Sequence, residues 1–261
     1  MLRIGCVKYL NARPLIHGWP GAVNFDHPAA LCRKLERGDL DVALVSSLEF
    51  LRHPIYRIVD GVSISSRGPV YSVIVAHREE LARIQKIKLD PASETSVALL
   101  RCLLAQRGLN PRLVPWHRHL ADEAAEDHPQ DADGAARLLI GDQAIRFRQE
   151  DSDYRLWDLG EEWKNVADLP FVFALWLIRP EIENAKEIAD ALRRIRDHNL
   201  ENLDDIVSTQ SDVSPEFCRK YYQEHLFFDL GEFEKAGVRE FHRRCLLNKI
   251  DVAPELRLNL V

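Results

Sequence analysis

Residues Arg3 to Leu15, R-I-G-C-V-K-Y-L-N-A-R-P-L, read as a short apolar strand, Ile4 to Val7, running into a turn at Tyr9 to Ala12. Pro14 then falls in the first turn of a helix that ends near Gly18. A strand that stops at Tyr-Leu-Asn and restarts as a helix sets an amide side chain and free N–H groups at the carboxyl edge of a sheet, where open α/β folds bind ligands. The same residues also serve a plain strand-turn-helix crossover. Next comes a short strand at Ala22 to Phe25, then an amphipathic helix at Pro28 to Arg37 with Leu31, Cys32 and Leu35 inward and Gly38 closing it. D-V-A-L-V at Asp41 to Val45 is nearly all apolar, as a parallel strand covered on both faces must be.

Ser46-Ser47-Leu48-Glu49 has the spacing of a capping box, Ser46 bonding forward and Glu49 reaching back; a serine at this junction equally suits a ligand carboxylate. Tyr56 to Ile64 and Val70 to Ala76 are strands joined by a polar turn that carries Arg67. After a brief strand at Ile87 to Leu89, the hydroxyl-rich loop Asp90 to Ser96 leads into the helix Val97 to Arg107. That loop either caps the helix or presents Ser93, Thr95 and Ser96 to an anion. Arg112 to Pro115 and Arg137 to Ile140 are strands, and Gly141-Asp142 is a tight turn that brings backbone close to the sheet or to a ligand. Tyr154 to Leu159 and F-V-F-A-L-W-L-I at Phe171 to Ile178 complete the strands, the latter too apolar for an edge. Beyond Pro180 the pattern is helical: Glu181 to Arg196, Asn202 to Ser208, Pro215 to His225 and Gly231 to Leu247.

With 35 basic and 41 acidic residues among 261, and no long run of one sign, the net charge of -6 offers nothing to attract nucleic acid or an anionic membrane. Cys6, Cys32, Cys102, Cys218 and Cys245 are widely spaced, without a C-x-x-C pair, and read as reduced structural thiols. No signal peptide and no apolar span of membrane length is evident, so the expectation is a cytoplasmic protein. Asp131-x-Asp133-Gly134 lacks the later ligands of a calcium loop and His117-x-His119 lacks a third partner, so both read as surface features and no metal site is expected. There is no G-x-G-x-x-G or P-loop, and no cofactor is expected.

These elements make an α/β protein of two lobes around a central cleft with a helical C-terminal segment. The apolar strands Val70 to Ala76 and Phe171 to Ile178 are the natural crossovers, placing one lobe at 1–74 with 177–261 and the other at 75–176.

In order, K-Y-L-N-A-R-P-L, D-V-A-L-V-S-S-L-E, S-R-G-P-V-Y-S-V, S-E-T-S-V-A-L-L, L-I-G-D-Q-A and D-L-P-F-V-F-A-L-W resemble the chorismate dehydratases of the futalosine route to menaquinone. The resemblance covers about residues 3 to 178. It implies a type II periplasmic-binding-protein-like fold, used inside the cell as a hydro-lyase that converts chorismate to 3-[(1-carboxyvinyl)oxy]benzoate. Its sister enzyme, which makes 1,4-dihydroxy-6-naphthoate, opens with a Pro-Asn-Asp turn, and Asn11 in Y-L-N-A-R-P-L argues for the dehydratase. Lys8 departs from the family pattern but leaves Asn11 in register. The motif positions imply Asn11 as the catalytic residue and Ser46, Ser47, Ser66, Arg67, Ser72, Ser93, Thr95, Ser96, Gly141 and Asp142 as substrate contacts. The proton acceptor is left open among a substrate carboxylate, Glu94 and Asp142. From another class, a non-catalytic binder of small carboxylates shares the cleft but not the reaction, and the oligomeric state is not legible.

Overall fold

D-V-A-L-V becomes a strand with every residue buried, and the other apolar runs follow it into two sheets. A computed structural model describes residues 2–90, 94–116, 135–150 and 153–261. Its strands are β1 (Ile4–Cys6), β2 (Val23–Phe25), β3 (Val42–Ser46), β4 (Arg57–Ser66), β5 (Val73–His77), β6 (Lys86–Leu89), β7 (Arg112–Pro115), β8 (Ala136–Ile140), β9 (Arg155–Asp158) and β10 (Phe171–Ile178). Its helices are α1 (Pro28–Arg37), α2 (Ser47–Arg52), α3 (Glu94–Gln106), α4 (Gly141–Gln149), α5 (Leu159–Ala167), α6 (Ala185–Glu201), α7 (Leu203–Val207), α8 (Pro215–Lys220) and α9 (Glu232–Leu247).

The first sheet has the order β2-β1-β3-β10-β4 and the second β7-β6-β8-β5-β9. In each, one strand runs against the rest: β10 is antiparallel to β3 and β4, and β5 to β8 and β9. The reversal has a simple cause. The other strands end at the cleft, and a strand arriving from the opposite sheet starts there. Phe171 accordingly pairs with Ser66 at the end of β4, and Val73 pairs with Ile140 at the end of β8. The expected boundaries at 74/75 and 176/177 fall inside β5 and β10, which each lie wholly in one sheet; the chain changes sheet in the connections 67–72 and 159–170. One apolar cluster runs through both sheets and their helices, joined at the back by the edge-on aromatic group Trp163, Phe171 and Phe241.

Two local expectations are corrected. Leu10–Leu15 is a 3-10 helix and Pro14 lies near its end, not in its first turn. A proline four residues beyond Leu10 cannot supply the N–H that an α-helix would give the Leu10 carbonyl, so the turn stays tight, with the three-residue spacing of a 3-10 helix. The C-terminal segment is not wholly helical either. The Ser63 and Ser65 N–H groups donate to the Phe228 and Phe227 carbonyls at 3.1 and 2.9 Å, and the Ile58 N–H to Asn259 at 2.7 Å. Backbone from the tail thereby covers the otherwise open edge of β4. All five cysteines are buried free thiols. No helix among the described residues is long and apolar enough to cross a membrane.

Candidate active site

A pocket opens in the cleft between the sheets, where ligands of such folds sit. Its floor is apolar, with Leu44 and Val45 of β3 and Val73 of β5. Its polar groups are Tyr9, Asn11, Ser46, Ser72, Glu94, Thr95 and Ser96. No Lys or Arg belongs to the described lining.

Asn11 reaches this lining from the 3-10 helix after β1. The turn is closed by backbone, the Ala12 N–H donating to the Tyr9 carbonyl at 3.1 Å, and no side chain caps it. The Asn11 side chain is therefore not spent on the turn, and its Oδ1 is buried without a partner among the described residues. Beside it, the Leu10 N–H donates to Asp142 Oδ1 at 2.9 Å across the cleft. Asp142 sits behind the wall, not on it, and burial pushes its carboxyl above the ordinary range, opposed by the Leu10 bond. Gly141 lines the cleft at φ +56°, with the Tyr9 ring 3.1 Å from where a Cβ would stand, so only glycine permits the close approach.

The capping-box reading of Ser46 and Glu49 is corrected. Ser46 makes no cap bond, and Glu49 pairs instead with His53 Nδ1 at 3.0 Å. The cap comes from the other sheet: Thr95 Oγ1 accepts the Leu48 N–H at 3.2 Å and touches the Ser46 hydroxyl. Ser96 lines the cleft beside it. Ser93 lies outside the described residues, as do the His117-x-His119 and Asp131-x-Asp133 segments.

Three expected contacts point elsewhere. Ser47 donates to the Val172 carbonyl at 2.7 Å, tying α2 to β10. Arg67 pairs with Glu234 at 3.0 Å and stacks over Phe227 at 4.5 Å, because the tail carries a buried carboxylate to it. Ser66 is buried where β4 ends, its hydroxyl 2.7 Å from where a Cβ on Gly160 would stand, and it does not belong to the lining.

Other residues matter that spacing did not single out. Phe173 reaches the cleft because β10 has a register shift between Val172 and Ala174, which turns two consecutive side chains the same way. Asp158 is buried at the end of β9 and accepts from the Val70, Tyr71 and Gly160 N–H groups at 3.0, 2.8 and 3.0 Å, holding the loop before Ser72. From the tail, the Tyr222 hydroxyl donates to the Leu10 carbonyl at 2.9 Å. The one available sequence signal was the adjacent pair Tyr221-Tyr222, which periodicity assigns to a helix face.

A family model described as menaquinone biosynthesis matches residues 2–246. Chorismate dehydratase of Thermus thermophilus is 30% identical over an alignment spanning 91% of this chain and 93% of that protein. A crystal structure of an Archaeoglobus fulgidus protein superposes with a TM-score of 0.70 at 17% identity, covering 95% of this chain and 98% of the other. The alkanesulfonate-binding protein SsuA of Xanthomonas axonopodis superposes with a TM-score of 0.68 at 16% identity, covering 100% and 97%. At such identities the two structures speak for the fold alone, which is that of the periplasmic binding proteins. Together with the order of motifs along the cleft, the matches over nearly the whole chain place it in the menaquinone-biosynthesis family that includes chorismate dehydratase.

Proposed function

We propose that the chain is a chorismate dehydratase, removing water from chorismate to give 3-[(1-carboxyvinyl)oxy]benzoate. The observation that carries this is Asn11, an amide whose buried oxygen has no partner among the described residues, on the wall of a cleft whose other polar groups are mainly hydroxyls. In the reaction a ring C–H gives up its proton, the ring hydroxyl leaves with its bonding pair, and the product ring is aromatic. Much of the driving force therefore lies in the substrate, and the protein has to position and stabilise. The hydroxyls of Ser46, Ser72, Thr95 and Ser96 and the starts of α2, α3 and α4 receive the two carboxylates. Asn11 orients the departing hydroxyl.

Neither protein carboxylate is well placed as base. Glu94 is paired with Arg52, and Asp142 stands behind the wall bound to Leu10. A carboxylate of the substrate accepts the ring proton. The two sheets with their helices act as lobes that close on this small molecule, and the enzyme works in the cytoplasm.

Incubation with chorismate followed by chromatography tests the proposal. The expected result is a new aromatic product, and unchanged chorismate removes the assignment. For Asn11→Ala, turnover falls by about 10² or more while binding changes less, as loss of an interaction that strengthens in the transition state requires. A variant with full turnover and a lowered melting temperature instead makes Asn11 a purely structural residue.

A further inference from the structure

We infer that Tyr221, in the tail, is a positioning residue for the cleft: it fixes the Ser72 hydroxyl as a hydrogen-bond donor to a carboxylate of the bound substrate. The inference rests on the dehydratase reading above. Tyr221 opens a single π-helical turn, Tyr221–His225, that follows α8. Such turns insert one extra residue and are frequent at functional sites. Here both neighbouring tyrosines face inward and are buried, and their hydroxyls go to opposite walls, Tyr222 to Leu10 and Tyr221 to Ser72.

The Tyr221 hydroxyl donates to Ser72 Oγ at 2.6 Å. A phenol is a stronger acid than an alcohol, so this direction is the favoured one, and among the described residues the Tyr221 hydroxyl has no second hydrogen-bond partner. Ser72 Oγ therefore acts as acceptor on the tail side, and its own proton must go elsewhere. The Ser72 carbonyl is taken by the Gly141 N–H at 2.8 Å, and Ser72 lines the cleft. In this reading the O–H turns to the cleft that Ser72 lines, where the phenol behind it strengthens it as a donor.

The surroundings hold this pair still. Tyr71, next to Ser72, is left-handed at φ +69°, an uncommon conformation for a bulky residue, and its N–H is held by Asp158. Its ring packs 5.1 Å from Phe217, which in turn stacks on Tyr221 at 5.8 Å and 11°. A strained residue beside Ser72 and a buried phenol behind it are both more than the fold needs to start a strand.

The test is a double-mutant cycle on chorismate with Tyr221→Phe, Ser72→Ala and the double variant, reading KM, kcat and melting temperature. Tyr221→Phe should raise KM about ten-fold, as for a weakened bond to a charged group, with a smaller change in kcat. In the Ser72→Ala background, Tyr221→Phe should change KM less than about two-fold, because its effect has no other route. Equal losses in both backgrounds overturn the inference and leave the dehydratase reading standing. Unaltered protein that does not consume chorismate removes that reading and the inference with it. Should Tyr221→Phe prove too unstable to assay, Ser72→Ala decides alone: an unchanged KM overturns the inference.

Discussion

Replacing Thr95 by Val tests whether one sheet's helix caps a helix of the other. The swap keeps the side chain's shape and removes only the hydroxyl, which is buried and accepts the Leu48 N–H at 3.2 Å. Leaving a buried N–H unpaired costs about 1–3 kcal/mol. Ser46 stands at the N-cap position of α2 and, freed of Thr95, can turn to recover part of this, since a cap is worth about 1 kcal/mol. The net expectation is a loss of about 1–2 kcal/mol, which for a chain of this size lowers the melting temperature by roughly 2–8 °C. Thr95→Ser keeps the hydroxyl and should lose clearly less. Thermal unfolding of the two variants beside the unaltered protein decides the matter. A Val variant as stable as the parent, or a Ser variant that falls as far as Val, would refute the trans-cap.

Two further outcomes follow from the tail. A Cβ at Gly237 would stand 2.1 Å from the Pro170 carbonyl oxygen, so Gly237→Ala must push α9 off the turn before β10. A loss of about 1–3 kcal/mol is expected by thermal or urea unfolding, and unchanged stability would contradict the packing. The Glu240 carboxyl, bonded by Arg243 and Arg244, is held down to about 2 from its ordinary 4.5. A carboxyl depressed in the folded state adds stability above 4.5 that is lost as pH falls toward about 2. Glu240→Gln should therefore melt below the parent near neutral pH, and the gap should close across that interval; a gap that persists at pH 2 would point to packing instead of charge.

Much of the fold was legible in the chain because it rests on local rules. Apolar runs such as D-V-A-L-V and F-V-F-A-L-W-L-I can only be strands covered on both faces, and the helix starts after β3 and β8 carry the small residues such turns need. The motif order along the cleft was legible for the same reason, since each motif sits where a strand begins or ends at the cleft. Asn11, Ser46, Ser72, Thr95, Ser96 and Gly141 do meet at one lining.

Which polar side chains face that lining was a different matter. Ser46 and Ser47 are adjacent and chemically identical, yet one faces Thr95 and the other the Val172 carbonyl. Arg67 is turned away by Glu234, a partner 167 positions later that no local pattern announces. The register shift at Phe173 depends on how β10 meets β4, not on either strand alone.

The sequence by itself determined most of the elements, the class of fold and the family, because periodicity, turn chemistry and ordered motifs are properties of neighbouring residues. Only the tertiary structure decided that Thr95 caps α2 from across the cleft, and that Tyr222 donates to the Leu10 carbonyl from the tail. Each is a hydrogen bond between groups far apart in the chain, and a donor's choice among distant acceptors is settled by the packing that brings them within about 3 Å.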